Sequence, residues 1–175
     1  MPKEIERKFF VSDLSVIAKR EGSMIVQGYL SDGPMMVRVR IIEAEAFLTL
    51  KGKKSGIACD EYEYPIPLCH AEELLAHHCG QRIVLKTRYR VPHENLIWEV
   101  DVFAGKHQGL VIAEIELESS EQVFSLPEWI GREISDDRRY SNSAMSRTGE
   151  IPSPILSGDA GRNGSADSEN LTPQH

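Results

Sequence analysis

The chain has 175 residues, 41% hydrophobic and 27% charged, with a formal net charge of −7. That length supports one domain with a substantial core, and the acidic balance argues against nucleic acid as the main partner, which usually meets a basic surface. The opening MPKEIERKFF lacks the apolar core of a signal peptide, and no run reaches the roughly 20 apolar residues of a membrane helix. The expectation is a cytoplasmic protein engaging neither nucleic acid nor membrane, as a monomer or homodimer.

In chain order, the first strand pattern covers 3–11. The stretch SDLSVIAKR then predicts a short helix capped by Ser12 or Asp13. Strands follow at 24–30 and 35–42, parted by SDGP, and EAEA joins the latter to a strand at 45–52. The turn KGKKSG precedes a strand at 58–66, and HAEELLAHHCG reads as a helix stopped by Gly80. Strands at 83–91 and 96–103 flank PHEN, and another lies at 111–118. A third helix is expected in SSEQVFSLPEW, with Ser119 or Ser120 as its cap.

Eight mainly antiparallel strands with a few short helices point to an α+β protein built on a closed barrel. From about 151 the sequence turns rich in Pro, Gly, Ser, Asn and Asp, without apolar period. The expectation is a domain over 1–150 and a disordered tail over 151–175. Cys59, Cys69 and Cys79 form no CxxC pair, and with His70, His77 and His78 nearby they match no zinc-ligand spacing. They are expected to be reduced and mostly buried thiols.

Side chains alternate between the two faces of a strand. On the first strand Glu4, Glu6 and Lys8 share a face. Arg38 and Arg40 oppose Val37, Val39 and Ile41. Thr49 and Lys51 oppose Leu48 and Leu50. Glu61 and Glu63 oppose Tyr62 and Tyr64. Lys86, Arg88 and Arg90 oppose Leu85 and Tyr89. Glu99 and Asp101 oppose Trp98, Val100 and Val102, while Glu114 and Glu116 oppose Ile115 and Leu117.

For any single strand, a solvated polar face is the ordinary explanation. As a set, whole strand faces carry one sign of charge, and neighbouring like charges cost energy unless something bound compensates them. Carboxylate groups are compensated by hard divalent cations, and guanidinium and ammonium groups by phosphate. Together these are the components of metal-assisted phosphoryl chemistry. The barrel is therefore expected to be inverted, charged within and apolar without.

EIERKF resembles the ExExK signature of the CYTH superfamily, the triphosphate tunnel metalloenzymes. The resemblance continues through QGYL, VRVR, LTLKG, EYEYPI, LKTRYRV, WEVDVF, AEIELE and DDRRYSN, in family order over about residues 1–147. It implies an eight-stranded antiparallel tunnel that binds a triphosphate with Mg²⁺ or Mn²⁺. Among the family's activities, the chain resembles short inorganic triphosphatases most. Thiamine or nucleoside triphosphate hydrolysis, class IV-type adenylyl cyclisation, and a non-catalytic triphosphate- or polyphosphate-binding module are the alternatives. In this reading Lys8, Arg38, Arg40, Lys51, Lys86, Arg88, Arg90 and Arg139 face phosphate. One metal falls to a subset of Glu4, Glu6, Glu114 and Glu116, and a second lies near Glu61, Glu63, Glu99 or Asp101. Water is activated by metal or by a lysine, Lys86 or Lys51, and the resemblance implies that Tyr29 orients Lys86.

Overall fold

The computed structural model describes residues 3–33, 35–53 and 55–152. Residues 153–175, which carry nearly all of the expected tail, lie outside the described residues.

All eight expected strands form, each within two residues of its expected ends. They are β1 (Lys3–Val11), β2 (Ser23–Asp32), β3 (Met36–Ile42), β4 (Glu45–Lys51), β5 (Ala58–Pro65), β6 (Ile83–His93), β7 (Leu96–Ala104) and β8 (Val111–Glu116). Their order is β5-β4-β3-β2-β6-β7-β8-β1, every pair antiparallel, and the pairing Glu4↔Cys59 joins β1 to β5 and closes the barrel. Two-residue turns link β3 to β4 and β6 to β7, with Glu43 at φ +53 and Glu94 at φ +51. Left-handed residues match such turns to strand twist.

A ninth strand, β9 (Ile130–Glu133), was not expected from the sequence. It pairs with the second half of β1 through Phe9↔Glu133. Arg7 clamps it from outside, its Nε and Nη2 donating to the two Glu133 oxygens at 2.7 and 2.5 Å.

The apolar strand faces point outward and are covered. Trp98 sits 5.4 Å from Phe9, 5.8 Å from Phe124 and 5.7 Å from Trp129, ring centre to ring centre, all edge-on. Around them pack Val91, Val100, Ala113, Ile115 and Leu117. Each such aliphatic or aromatic side chain contributes roughly 1.5–3 kcal/mol by leaving water. The helix expected in SSEQVFSLPEW does not form, and residues 117–129 run as an irregular strap. Phe124 and Trp129 anchor it on Trp98, whereas Val123 is left 94% exposed, and Pro127 removes a backbone donor that a helix would need.

Helix α1 (Leu68–His77) covers β2–β4 from outside. Gly28 permits its approach, since a Cβ there would lie 2.6 Å from Cys79 Sγ. The expected first helix shrinks to a 3₁₀ turn, Leu14–Ile17, capped by Asp13. A second helix, α2 (Asn142–Thr148), was not expected. Its Ser141 Oγ accepts from Ala144 N, and it stops at Gly149 with φ +66.

Inside the barrel, position along each strand separates two layers. Phe10, Tyr29, Val84, Phe103 and Ile112 form an apolar layer with Tyr140 and Met145, the last from α2. Beyond it, the same inward faces carry the charges.

Candidate active site

Strand register assembles the charged layer. Lys8 pairs with Glu114, Glu6 with Glu116, Arg88 with Asp101, and Lys51 with Glu61. Glu4, Glu6, Lys8, Arg38, Arg40, Lys51, Glu61, Glu63, Lys86, Arg88, Glu99, Glu114 and Glu116 line one cavity of about 350 Å³. An adjoining cavity of about 540 Å³ shares Glu4, Glu6, Lys8, Arg38 and Lys51 and adds Tyr29, Cys59, Arg138, Arg139 and Arg147. Asn142 lines both.

Two of the expected site residues stand apart. Arg90 is exposed and lines neither cavity. Asp101 is fully buried. Its Oδ2 accepts from Lys86 Nζ at 2.5 Å, and its two oxygens take the Arg88 fork at 2.7 Å each. Arg88 further bonds Glu114 Oε2 at 2.7 Å and pairs with Glu99. Arg139 lies at the edge of the larger cavity, its Nη2 on Asp137 Oδ2 at 2.6 Å.

The other cations are also held by carboxylates. Lys8 Nζ pairs with Glu6 at 2.5 Å and with Glu114. Lys51 Nζ pairs with Glu4 at 2.5 Å and Glu61 at 2.7 Å. Arg38 Nη2 reaches Thr49 Oγ1 at 3.1 Å and Glu61 and Glu63 at 3.3 Å each. Arg40 Nη2 meets Glu63 Oε2 at 2.7 Å. The Nε atoms of Arg38 and Arg40 are buried without a hydrogen-bond partner, which leaves donors for an incoming acceptor.

These pairings set the electrostatics. Burial and the neighbouring Arg88 depress the Lys86 pKa, against the pull of Asp101. Burial acts the same way on Lys51, but Glu4 leads a set of carboxylates that hold it above the ordinary lysine range. Burial would raise Glu114, yet Lys8, Lys86 and Arg88 bring it well below the usual carboxylate range. Burial and Glu114 raise Glu6 despite Lys8. Burial, Glu4 and Glu99 raise Glu116. Among the described residues Glu116 has no cation in contact.

Carboxylates raised by burial, and further by like charge beside them, would be relieved by a divalent ion, and their oxygen donors suit a hard one. A compact group, Glu4, Cys59 and Glu61, brings one ligand atom from each within 4.8 Å of the others. The acidic edge of the tunnel therefore fits a divalent metal.

Several inward-facing residues carry roles that the charge pattern does not mark. Thr49, on the charged face, accepts from Arg38 and donates to Glu63 Oε2 at 2.7 Å. Cys59, expected to be a reduced and mostly buried thiol, faces the tunnel beside Glu4, and burial followed by Glu4 pushes its thiol up to about 11. Cys69 is exposed, against the expectation of burial, and Cys79 is buried. Gln27 was missed as well. Parity with Tyr29 and Glu61 would have placed Gln27 and Cys59 inside. The expected Tyr29–Lys86 contact does not form: Tyr29 Oη accepts from Gln27 Nε2 at 2.7 Å, while Lys86 bonds Asp101.

The CYTH domain family matches residues 2–148. An inorganic triphosphatase of Acetivibrio thermocellus is 46% identical over 146 residues, covering 83% of this chain and 94% of that protein. An inorganic triphosphatase of Nitrosomonas europaea is 35% identical over 153 residues, covering 81% of this chain and 95% of that protein. A crystal structure of an inorganic triphosphatase superposes with a TM-score of 0.63 at 34% identity, covering 87% of this chain and 99% of that one.

Proposed function

The chain belongs to the CYTH domain family, and from that premise we propose that it hydrolyses inorganic triphosphate to diphosphate and phosphate with Mg²⁺ or Mn²⁺, in the cytoplasm. The observation that carries this reading is the inward charged face. Seven cations, Lys3, Lys8, Arg38, Arg40, Lys51, Lys86 and Arg88, line a 350 Å³ cavity together with carboxylates that include Glu4, Glu6, Glu114 and Glu116. A polyanion needs the first set and a divalent cation needs the second. A phosphate-binding module would not require both. Relatives that carry the name inorganic triphosphatase match over most of their length.

Substrate oxygens displace carboxylates from the tunnel cations. Arg38 and Arg40 each offer an unpartnered Nε donor, and Lys8 and Lys51 offer ammonium groups. Arg88, locked by Asp101, Glu99 and Glu114, presents a fixed charge to the phosphoryl group in transfer. Prepositioned charge of this kind stabilises a transition state without reorganisation. Arg139 sits further out and would meet the far end of the chain of phosphates.

Glu4, Glu6, Glu114 and Glu116 would hold the metal, with Glu61 beside Glu4 and Glu99 paired across from Glu114. Bound there, a divalent ion supplies neutralisation of the phosphate charge and acidification of water. Of the two lysines considered for proton transfer, Lys86 has the depressed pKa and Lys51 the raised one. We assign Lys86 to accepting a proton from the attacking water and Lys51 to phosphate. Asp101 is assigned to positioning Lys86 and Arg88 rather than to metal. Tyr29, lining the adjoining cavity, donates its hydroxyl proton to a phosphate oxygen.

The domain is proposed to end near residue 150, so a chain cut after 152 should keep its turnover; loss of activity on truncation would give the tail a role. The direct test of the activity is phosphate release from triphosphate, ATP and thiamine triphosphate, with Mg²⁺, Mn²⁺ or excess EDTA. Triphosphate should give the highest kcat/KM, and EDTA should abolish turnover. A higher value for ATP, or cyclic AMP as product, would replace this reading with a nucleotide one.

A further inference from the structure

Gln27 is an unusual residue for the interior of a barrel. It lies on β2, fully buried, two positions before Tyr29 and on the same inward face. Its Nε2 donates to Tyr29 Oη at 2.7 Å, and its Oε1 is buried without any partner. An unsatisfied buried acceptor costs about 1–3 kcal/mol. An apolar side chain of the same length would fill the place without that cost, so stability alone does not account for the amide.

The bond decides what the phenol can do. A hydroxyl carries one proton to donate and lone pairs to accept with. With the Gln27 amide donating into it, the Tyr29 oxygen already has its donor. Among the described residues nothing accepts the phenol's own proton. Tyr29 lines the cavity it shares with Lys8, Arg38 and Lys51, where the acceptors would be phosphate oxygens. Burial, the largest influence on this phenol, also keeps it protonated.

We propose that Gln27 is a positioning residue for the triphosphatase reaction: its amide fixes the Tyr29 hydroxyl as a hydrogen-bond donor aimed at the phosphoryl group in transfer. The inference rests on the function proposed above and on a catalytic Tyr29. Gln27 touches no substrate and acts only through the phenol.

The test is a double-mutant cycle on the metal-loaded enzyme with inorganic triphosphate. Gln27→Met keeps length and removes both amide atoms, and Gln27→Leu stands in should the first variant fold poorly. Gln27→Met should lower kcat about tenfold, the size of one neutral hydrogen bond, with KM within about threefold. Its melting temperature should equal or exceed the parent's, because the orphaned Oε1 is gone. Tyr29→Phe should lower kcat at least as much, and adding Gln27→Met to it should change kcat by less than about twofold. If Tyr29→Phe alone is silent, the catalytic assignment of Tyr29 fails. If Tyr29→Phe is impaired but Gln27→Met is not, or the two losses multiply, the positioning role fails while the reading of Tyr29 stands.

Discussion

Asp101 accepts a hydrogen bond from Lys86 at 2.5 Å, and the two side chains are 0% and 1% exposed. The same carboxylate grips the Arg88 fork. Two tunnel cations on β6 thus depend on one buried anion on β7. Parity places Asp101 among the metal candidates, and its bonds to Lys86 and Arg88 support the positioning role proposed for it.

Asp101→Asn should therefore disable chemistry more than binding. The substitution keeps the shape, removes the charge and leaves Lys86 and Arg88 facing each other. Breaking a buried pair by removing one partner typically costs about 3–5 kcal/mol, and the retained amide should reduce this. Thermal melting should fall measurably, and kcat should fall tenfold or more. A variant with wild-type melting and kcat would remove Asp101 from the account.

The pH profile isolates Lys86. Its pKa lies below the ordinary lysine range because burial, then Arg88, disfavours the charged form. The neutral amine therefore grows as pH rises through that depressed value, and kcat should rise with it and level off above it. Lys86→Arg keeps the charge but cannot lose its proton at accessible pH. It should show a low kcat without the alkaline rise. Retention of the rise in Lys86→Arg would assign proton transfer elsewhere.

Metal and pH should be coupled through Glu6 and Glu116. Their folded pKa values are raised, so their contribution to stability is full below the unfolded carboxylate value and is lost as pH rises through the folded one. Glu114 has the opposite sign, and its contribution is lost only as pH falls through its lowered value. The metal-free protein should thus melt lower as pH rises through the raised values of Glu6 and Glu116, a range in which Glu114 stays ionised. Mg²⁺ should raise the melting temperature more at the higher pH, by binding the folded state. Glu116→Gln should raise the metal-free melting temperature above the raised Glu116 value, where the wild-type carboxylate is charged, and shrink the Mg²⁺ effect. An undiminished Mg²⁺ shift in that variant would move the metal away from Glu116.

The barrel was legible because a period-two alternation of charge survives on seven of its eight strands, from Glu4 to Glu116, with β2 the exception. Alternation assigns a face but not a depth, which is why Asp101 and Glu116 looked alike in sequence. One proves buried between cations and the other sits at the tunnel's edge. Gln27 and Cys59 carried the right parity, but neither bears a charge at neutral pH, and a charge pattern passes over them. The four residues of β9 are too few to show a period. Helix α2 is short, although Ser141 and Gly149 are its cap and stop and could have marked it. Residues 119–129 form no helix: capping residues can precede a helix or a strap alike. What decides is tertiary, the docking of Phe124 and Trp129 on Trp98.

The central claim is that the charged faces enclose the triphosphate, and equilibrium binding of inorganic triphosphate in EDTA tests it without turnover. Arg38 is 6% exposed, and its Nε lacks a partner, so Arg38→Ala removes a charge-assisted contact worth about 1.5–3 kcal/mol. The expected result is a Kd raised tenfold or more, measured at a temperature where the variant remains folded. Ile115→Ala is the outward control. Ile115 is 1% exposed in the cluster around Trp98, and its truncation should cost about 2–5 kcal/mol of stability while leaving the Kd of the folded protein unchanged. An unaltered Kd in Arg38→Ala would mean that the inward face does not hold the phosphate, and the function proposed here would fall with it.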